Sequence, residues 1–104
     1  MRISFAPEAA KDLDDAVERY EAERKGLAKR FAKTIDESVL RIARYPFFGT
    51  EVKTGIYRSL VKRYPYAVYY AIQDDEIMIY AIAHLHRRTF YGSAAFRVGL
   101  IPPV

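Results

Sequence analysis

Cysteine is absent from the 104 residues, which excludes disulfides, Cys-ligated zinc and thiolate catalysis. Long apolar runs are absent as well: the best, Ile77 to Ala83, falls far below the roughly 18 residues that a membrane span needs. The opening MRISFAPEAAKDL has no apolar stretch of signal-peptide type before its charges begin. No Gly-rich phosphate loop, nucleophile elbow, paired-carboxylate motif, repeat or low-complexity segment is present. These absences predict a soluble, cytoplasmic protein with no membrane partner. What is present is 12.0 kDa of chain, enough for one domain and one modest core. Apolar side chains make up 51% of it, and nine Tyr and six Phe supply most of the bulk.

Charge is unevenly placed. Residues 1–52 hold ten basic and ten acidic side chains, whereas residues 53–104 hold seven basic and three acidic. The whole net charge of +4 therefore lies in the second half. That asymmetry suits an acidic or polyanionic partner, although a basic surface that only aids solubility accounts for it as simply.

Arg2-Ile3-Ser4-Phe5 alternates polar and apolar and predicts a short strand. Pro7 suits the first turn of a helix and Glu8 its positive end. Ala10, Leu13, Val17 and Tyr20 then mark an apolar face, with Asp12, Asp14, Asp15, Glu18 and Glu21 on the others. Gly26 is the expected left-handed residue between this helix and a second, from about Leu27 to Tyr45. The second stripe is Leu27, Phe31, Ile35, Val39 and Ile42, stopped by Pro46. The short link makes the pair an antiparallel hairpin whose stripes need a sheet to cover them.

Phe47 to Thr54 reads as a loop. Strands are expected over Ile56 to Arg63, Tyr66 to Ile72 and Ile77 to His84, the last apolar on both faces and hence central. Fold class is thus α+β: an N-terminal antiparallel helical hairpin packed on a mostly antiparallel four-stranded sheet. The tail from Thr89 has mixed signals.

Strand alternation puts Arg58, Leu60 and Lys62 on one face and Tyr57, Ser59, Val61 and Arg63 on the other. A solvated sheet face explains Lys62 well and Arg58 less well, because Leu60 makes the face half apolar, as binding surfaces often are. His84-Leu85-His86-Arg87-Arg88 is the densest polar cluster. Two imidazoles beside guanidinium groups suit RNA cleavage: one His takes the 2′-OH proton, the other supplies the leaving oxygen, and Arg steadies the phosphorane. A hydrogen-bonded strand-end His84 is the bland alternative. As a metal site the pair lacks a third ligand, and neither metal nor cofactor is expected. Among the tyrosines of the second half, Tyr69, Tyr70 and Tyr80 are expected to fill the core and pair across strands.

Taken in order, Gly26-Leu27, Phe31, Ile35, Ile42, Pro46, Gly49, Tyr57-Arg58, Tyr64-Pro65-Tyr66-Ala67-Val68-Tyr69-Tyr70, Asp75-Glu76-Ile77, Ala81-Ile82-Ala83-His84 and Arg87-Arg88 form a pattern. It resembles the RelE/ParE superfamily of toxins from bacterial type II toxin–antitoxin systems, often labelled plasmid stabilisation proteins. The resemblance covers residues 1–92 as a single toxin domain; residues 93–104 form a tail that belongs to it or contacts a partner. It implies a cognate antitoxin and a toxin–antitoxin hetero-oligomer.

The superfamily divides in activity. RelE-like members cut messenger RNA in the ribosome with Lys and Arg groups on the sheet, whereas ParE-like members poison DNA gyrase. Arg58 stands where the ribonuclease branch has its first strand Lys, and Leu60 where that branch has the Lys proposed as base. Ala67 replaces an Arg of the next strand. Arg87 or Arg88 takes the place of the Arg proposed as acid, with Tyr91 an offset match for the family Tyr. Losing two polar catalytic positions favours a ParE-like toxin that binds gyrase through Arg58, Lys62, Arg87, Arg88 and Tyr91. A RelE-like mRNA endoribonuclease using His84, His86 and Arg87 is the alternative. An inert toxin fold that only binds antitoxin is the second.

Overall fold

The computed structural model describes residues 1–86. Strand β1 (Arg2–Phe5) leads into helix α1 (Pro7–Glu23), then α2 (Leu27–Arg44), and four strands follow: β2 (Thr50–Lys53), β3 (Ile56–Leu60), β4 (Tyr66–Gln73) and β5 (Glu76–His84). The sheet runs in the order β1-β5-β4-β3-β2, five strands where four were expected. β1 is parallel to β5 and every other pair is antiparallel. The two helices return the chain to the far edge, from which β2 to β5 meander back to meet β1.

The additional strand is β2, within the stretch read from sequence as a loop. TEVK has only Val52 to mark it as a strand, and its register slips between Glu51 and Lys53, so four residues carry almost no periodic signal. β3 stops at Leu60 rather than at Arg63. The Val61 N–H donates to the Tyr66 carbonyl at 2.9 Å, and Arg63 takes a φ of 70° in the connection. That left-handed residue breaks the extended run before Pro65 does.

At its start α1 has Pro7 in the first turn and Glu8 beside it, with no side-chain cap. Gly26, at φ 87°, turns the chain between the helices, and its N–H donates to the Glu21 carboxylate at 3.1 Å. The α2 stripe packs as expected: Phe31, Ile35 and Ile42 are buried, with Val39 half-buried beside them. On α1 the buried small residues are Ala9 and Ala16, whereas Ala10 is exposed. The inward face is therefore rotated by about one residue from the expected stripe, and two alanines let the helix lie close on the sheet. Opposite them lie Val68, Tyr70, Ile77, Ile79 and Ile82, and this is the main core.

Candidate functional site

Cross-strand register sorts the sheet side chains into two faces. Tyr57, Tyr70 and Ile79 share one row and Ser59, Val68 and Ile82 another, both on the helix side. Thr50, Arg58, Tyr69 and Ala81 form a row on the outer face, followed by Leu60, Ala67 and Ala83. A bulge in β5 opposite Tyr69 and Tyr70 inserts Tyr80 between the paired residues Ile79 and Ala81. Ile79 and Ile82 both face the helices in consequence, while Tyr80 packs with Ala81 outside. The strand reads as apolar throughout because both of its faces are buried, Ile77, Ile79 and Ile82 against the helices and Ala81 and Ala83 in the outer cluster.

The centre of the outer face is a second buried cluster of Ala67, Tyr69, Ala81 and Ala83. It is not the solvated sheet face that alternation alone implies. Exposure returns at its β3 margin, where Leu60 is 57% exposed and Arg58 is half-buried. Among the described residues the ion pairs are Arg2–Glu76 and Lys11–Asp15, so the Arg58 guanidinium is tied to no carboxylate among them. A half-buried cation beside an exposed leucine, at the margin of a buried alanine and tyrosine cluster, can still present charge to a partner.

Lys62 lies beyond the end of β3 in the turn, exposed, so strand alternation does not place it beside Arg58. Arg87, Arg88 and Tyr91 lie outside the described residues, as does the tail 93–104.

The histidines come together but away from Arg58. His84 pairs in register with Tyr66, a helix-side core residue, and their rings meet edge-on at 5.0 Å. His84 is 8% exposed, and its Nδ1 accepts the His86 backbone N–H at 3.0 Å. A neutral His84 therefore carries its proton on Nε2. The rings of His84 and exposed His86 are 5.9 Å apart. The strand-end reading of His84 fits this geometry, and His84 and Arg58 occupy opposite faces of the sheet, with His86 beyond the end of β5.

Sequence reasoning placed Asp12 on the outer faces of α1, whereas its carboxylate accepts the Ile82 backbone N–H at 3.1 Å. Burial pushes its pKa up to about 6, against the lowering effect of that hydrogen bond. The spacing of Ala9, Asp12 and Ala16, three then four, was the available signal that it points inward. It lines a cleft of about 180 Å³ with Asp15, Ala16, Arg19, Tyr66 and Ile82, in which Arg19 donates to the Tyr66 hydroxyl at 3.3 Å. No group of three or more His, Cys, Asp or Glu among the described residues can hold a metal ion. No helix among them is long and apolar enough to cross a membrane.

A helical hairpin on a meandering, mostly antiparallel sheet defines a small α+β domain. The family model for the ParE toxin of the type II toxin-antitoxin system parDE matches residues 3–89, and the chain belongs to that family. It is a type II toxin of the ParE kind. Among solved structures, the chromosomal ParDE TA system from P. aeruginosa is similar, with a TM-score of 0.74 and 21% identity. The match covers 83% of this chain and 97% of that one. No curated protein matches the chain.

Proposed function

We propose that this ParE-family toxin arrests growth by binding DNA gyrase rather than by cutting RNA, and that a cognate antitoxin neutralises it in a cytoplasmic hetero-oligomer. Arg58 is the central contact, with Leu60 as its apolar neighbour and Lys62, Arg87, Arg88 and Tyr91 as further contacts. The observation that carries this reading is the separation of Arg58 from His84 across the sheet. General acid–base cleavage needs the proton-transfer groups and the charge-stabilising cation on one phosphodiester. Of the residues flanking Arg58 on its own face, Leu60 and Ala67 have no proton to transfer, and Tyr69, which has one, is only 7% exposed. Binding asks only for a complementary surface, which half-buried Arg58 and exposed Leu60 supply at the margin of the outer face.

The His84–His86 pair, close in space, favours the alternative of an mRNA endoribonuclease that also enlists Arg87. Controlled induction separates the two when message integrity and plasmid supercoiling are read together. Relaxed plasmid with intact message supports the gyrase reading. Codon-resolved cleavage with normal supercoiling, lost in His84→Ala, overturns it.

A further inference from the structure

The end of α2 and the turn after it expose four large apolar side chains: Leu40 at 68%, Tyr45 at 56%, Phe47 at 64% and Phe48 at 81%. Leu40 stands off the buried stripe of its helix, so the hairpin and sheet have no use for it. A shallow cleft of about 410 Å³ beside it is lined by Glu37, Leu40, Arg41, Arg44 and Tyr45. The segment is firmly held. The Phe48 N–H donates to the Tyr45 carbonyl at 3.1 Å, the Tyr70 hydroxyl donates to the Pro46 carbonyl at 2.9 Å, and the Phe47 ring meets Tyr57 edge-on at 5.8 Å. Aromatic side chains presented on a fixed turn lose little entropy on being covered.

We propose that this patch is the docking site for an acidic segment of the cognate antitoxin that carries bulky apolar side chains. The inference rests on the toxin–antitoxin reading above and adds to it a place and a chemistry. Charge selects the segment. Arg41 and Arg44 flank Leu40 and Tyr45, neither belongs to an ion pair among the described residues, and Glu37 offsets only one of them. A second copy of the chain docked by a two-fold would bring this net positive patch against itself. Exposure selects the antitoxin over the target. Three exposed aromatics within four residues of chain are a liability in a protein that stands alone, and are tolerated in one that is covered by a resident partner. The patch is also built on the helix layer and the turn packed beneath it, whereas Arg58 sits on the outer face of the sheet. An antitoxin on the α2 end of the patch, at Leu40 and Tyr45, need not contact Arg58, whereas Phe48 stands two residues before Thr50, the register partner of Arg58.

The test uses the full-length toxin and the purified product of the reading frame adjacent to its own, with affinity measured by calorimetry. Leu40→Ser/Phe48→Ser is expected to weaken binding at least about tenfold with an unchanged circular dichroism spectrum. Arg41→Glu/Arg44→Glu is expected to do the same, and to flatten the loss of affinity between about 0.05 and 0.5 M NaCl. Both variants, induced without the partner, are expected to arrest growth as the parent does. Unchanged affinity in both variants overturns the inference while leaving the toxin–antitoxin reading intact. Retained affinity with lost toxicity assigns the patch to the target and overturns it equally. Retained affinity with loss of a concentration-dependent dimer assigns it to a second copy, with the same consequence. Failure of the parent toxin to bind the partner at all counts against the toxin–antitoxin reading instead.

Discussion

The Asp12 carboxylate accepts the backbone N–H of Ile82 at 3.1 Å, across the gap where β1 has ended and β5 continues. β1 reaches only Phe5, whose partner is Ile79, so the β5 edge beyond that row lacks a neighbouring strand. A side chain from α1 supplies the acceptor that a strand would otherwise provide, and a buried donor is kept satisfied. Joining helix to sheet in this way puts a carboxylate into a half-buried cleft.

Stability is expected to depend on the ionisation of that carboxylate. Its pKa in the folded chain, about 6, lies above the ordinary 3.8, so the folded state holds the proton more tightly. The resulting stabilisation is complete below pH 3.8 and is lost as the pH rises through 6. Asp12→Asn keeps an acceptor for the Ile82 N–H and removes the charge. Its melting temperature at pH 7.5 is expected to exceed that of the parent, by a gain on the order of 1 kcal/mol after screening by solvent. An equal or lower value at pH 7.5 would refute the assignment.

Gly49 is expected to tolerate no side chain. A Cβ placed there lies 2.5 Å from the Tyr70 hydroxyl oxygen and 2.8 Å from the Arg58 carbonyl oxygen. Gly49→Ala must push the turn off β3 and β4, at a cost of about 1–3 kcal/mol in a denaturant melt. Tyr70→Phe removes one of the two clashing atoms, so the alanine is expected to cost less in that background. An unperturbed Gly49→Ala midpoint would show that the turn is not packed as described.

His84 and His86 are expected to differ in kind. His84 is buried against Tyr66, so His84→Ala lowers stability by about 1–3 kcal/mol. His86 is exposed, and His86→Ala is expected to leave stability within about 0.5 kcal/mol and toxicity unchanged. Loss of toxicity in His86→Ala at parental stability would revive the nuclease.

Much of the architecture was legible because it is periodic. The α2 stripe repeats often enough to be read, Gly26 marks its turn by residue type, and β4 and β5 are long enough runs of strand formers to be recognised. β2 was not, since four mostly polar residues repeat nothing and the strand exists through its pairing with β3. The bulge at Tyr80 was hidden for a different reason: it reverses the alternation partway along an apolar strand, where no polar residue marks the switch.

The site was legible only in part. Arg58 stood out because a cation beside Leu60 is unusual on a solvated face, and the structure puts it at the margin of a buried apolar cluster. Lys62 was assigned to the same face by carrying alternation past Leu60, where the backbone turns. Asp12 looked like solvent-facing charge because acidic residues crowd α1, and only the alanines on either side reveal its direction.

Purified gyrase offers the most direct test of the central claim, that Arg58 on the outer sheet face engages the target by binding. Micromolar parent toxin is expected to block supercoiling of relaxed plasmid, and Arg58→Glu is expected to lose that effect while melting like the parent. Supercoiling that proceeds unchanged with the parent toxin, or inhibition that survives intact in Arg58→Glu, would contradict it.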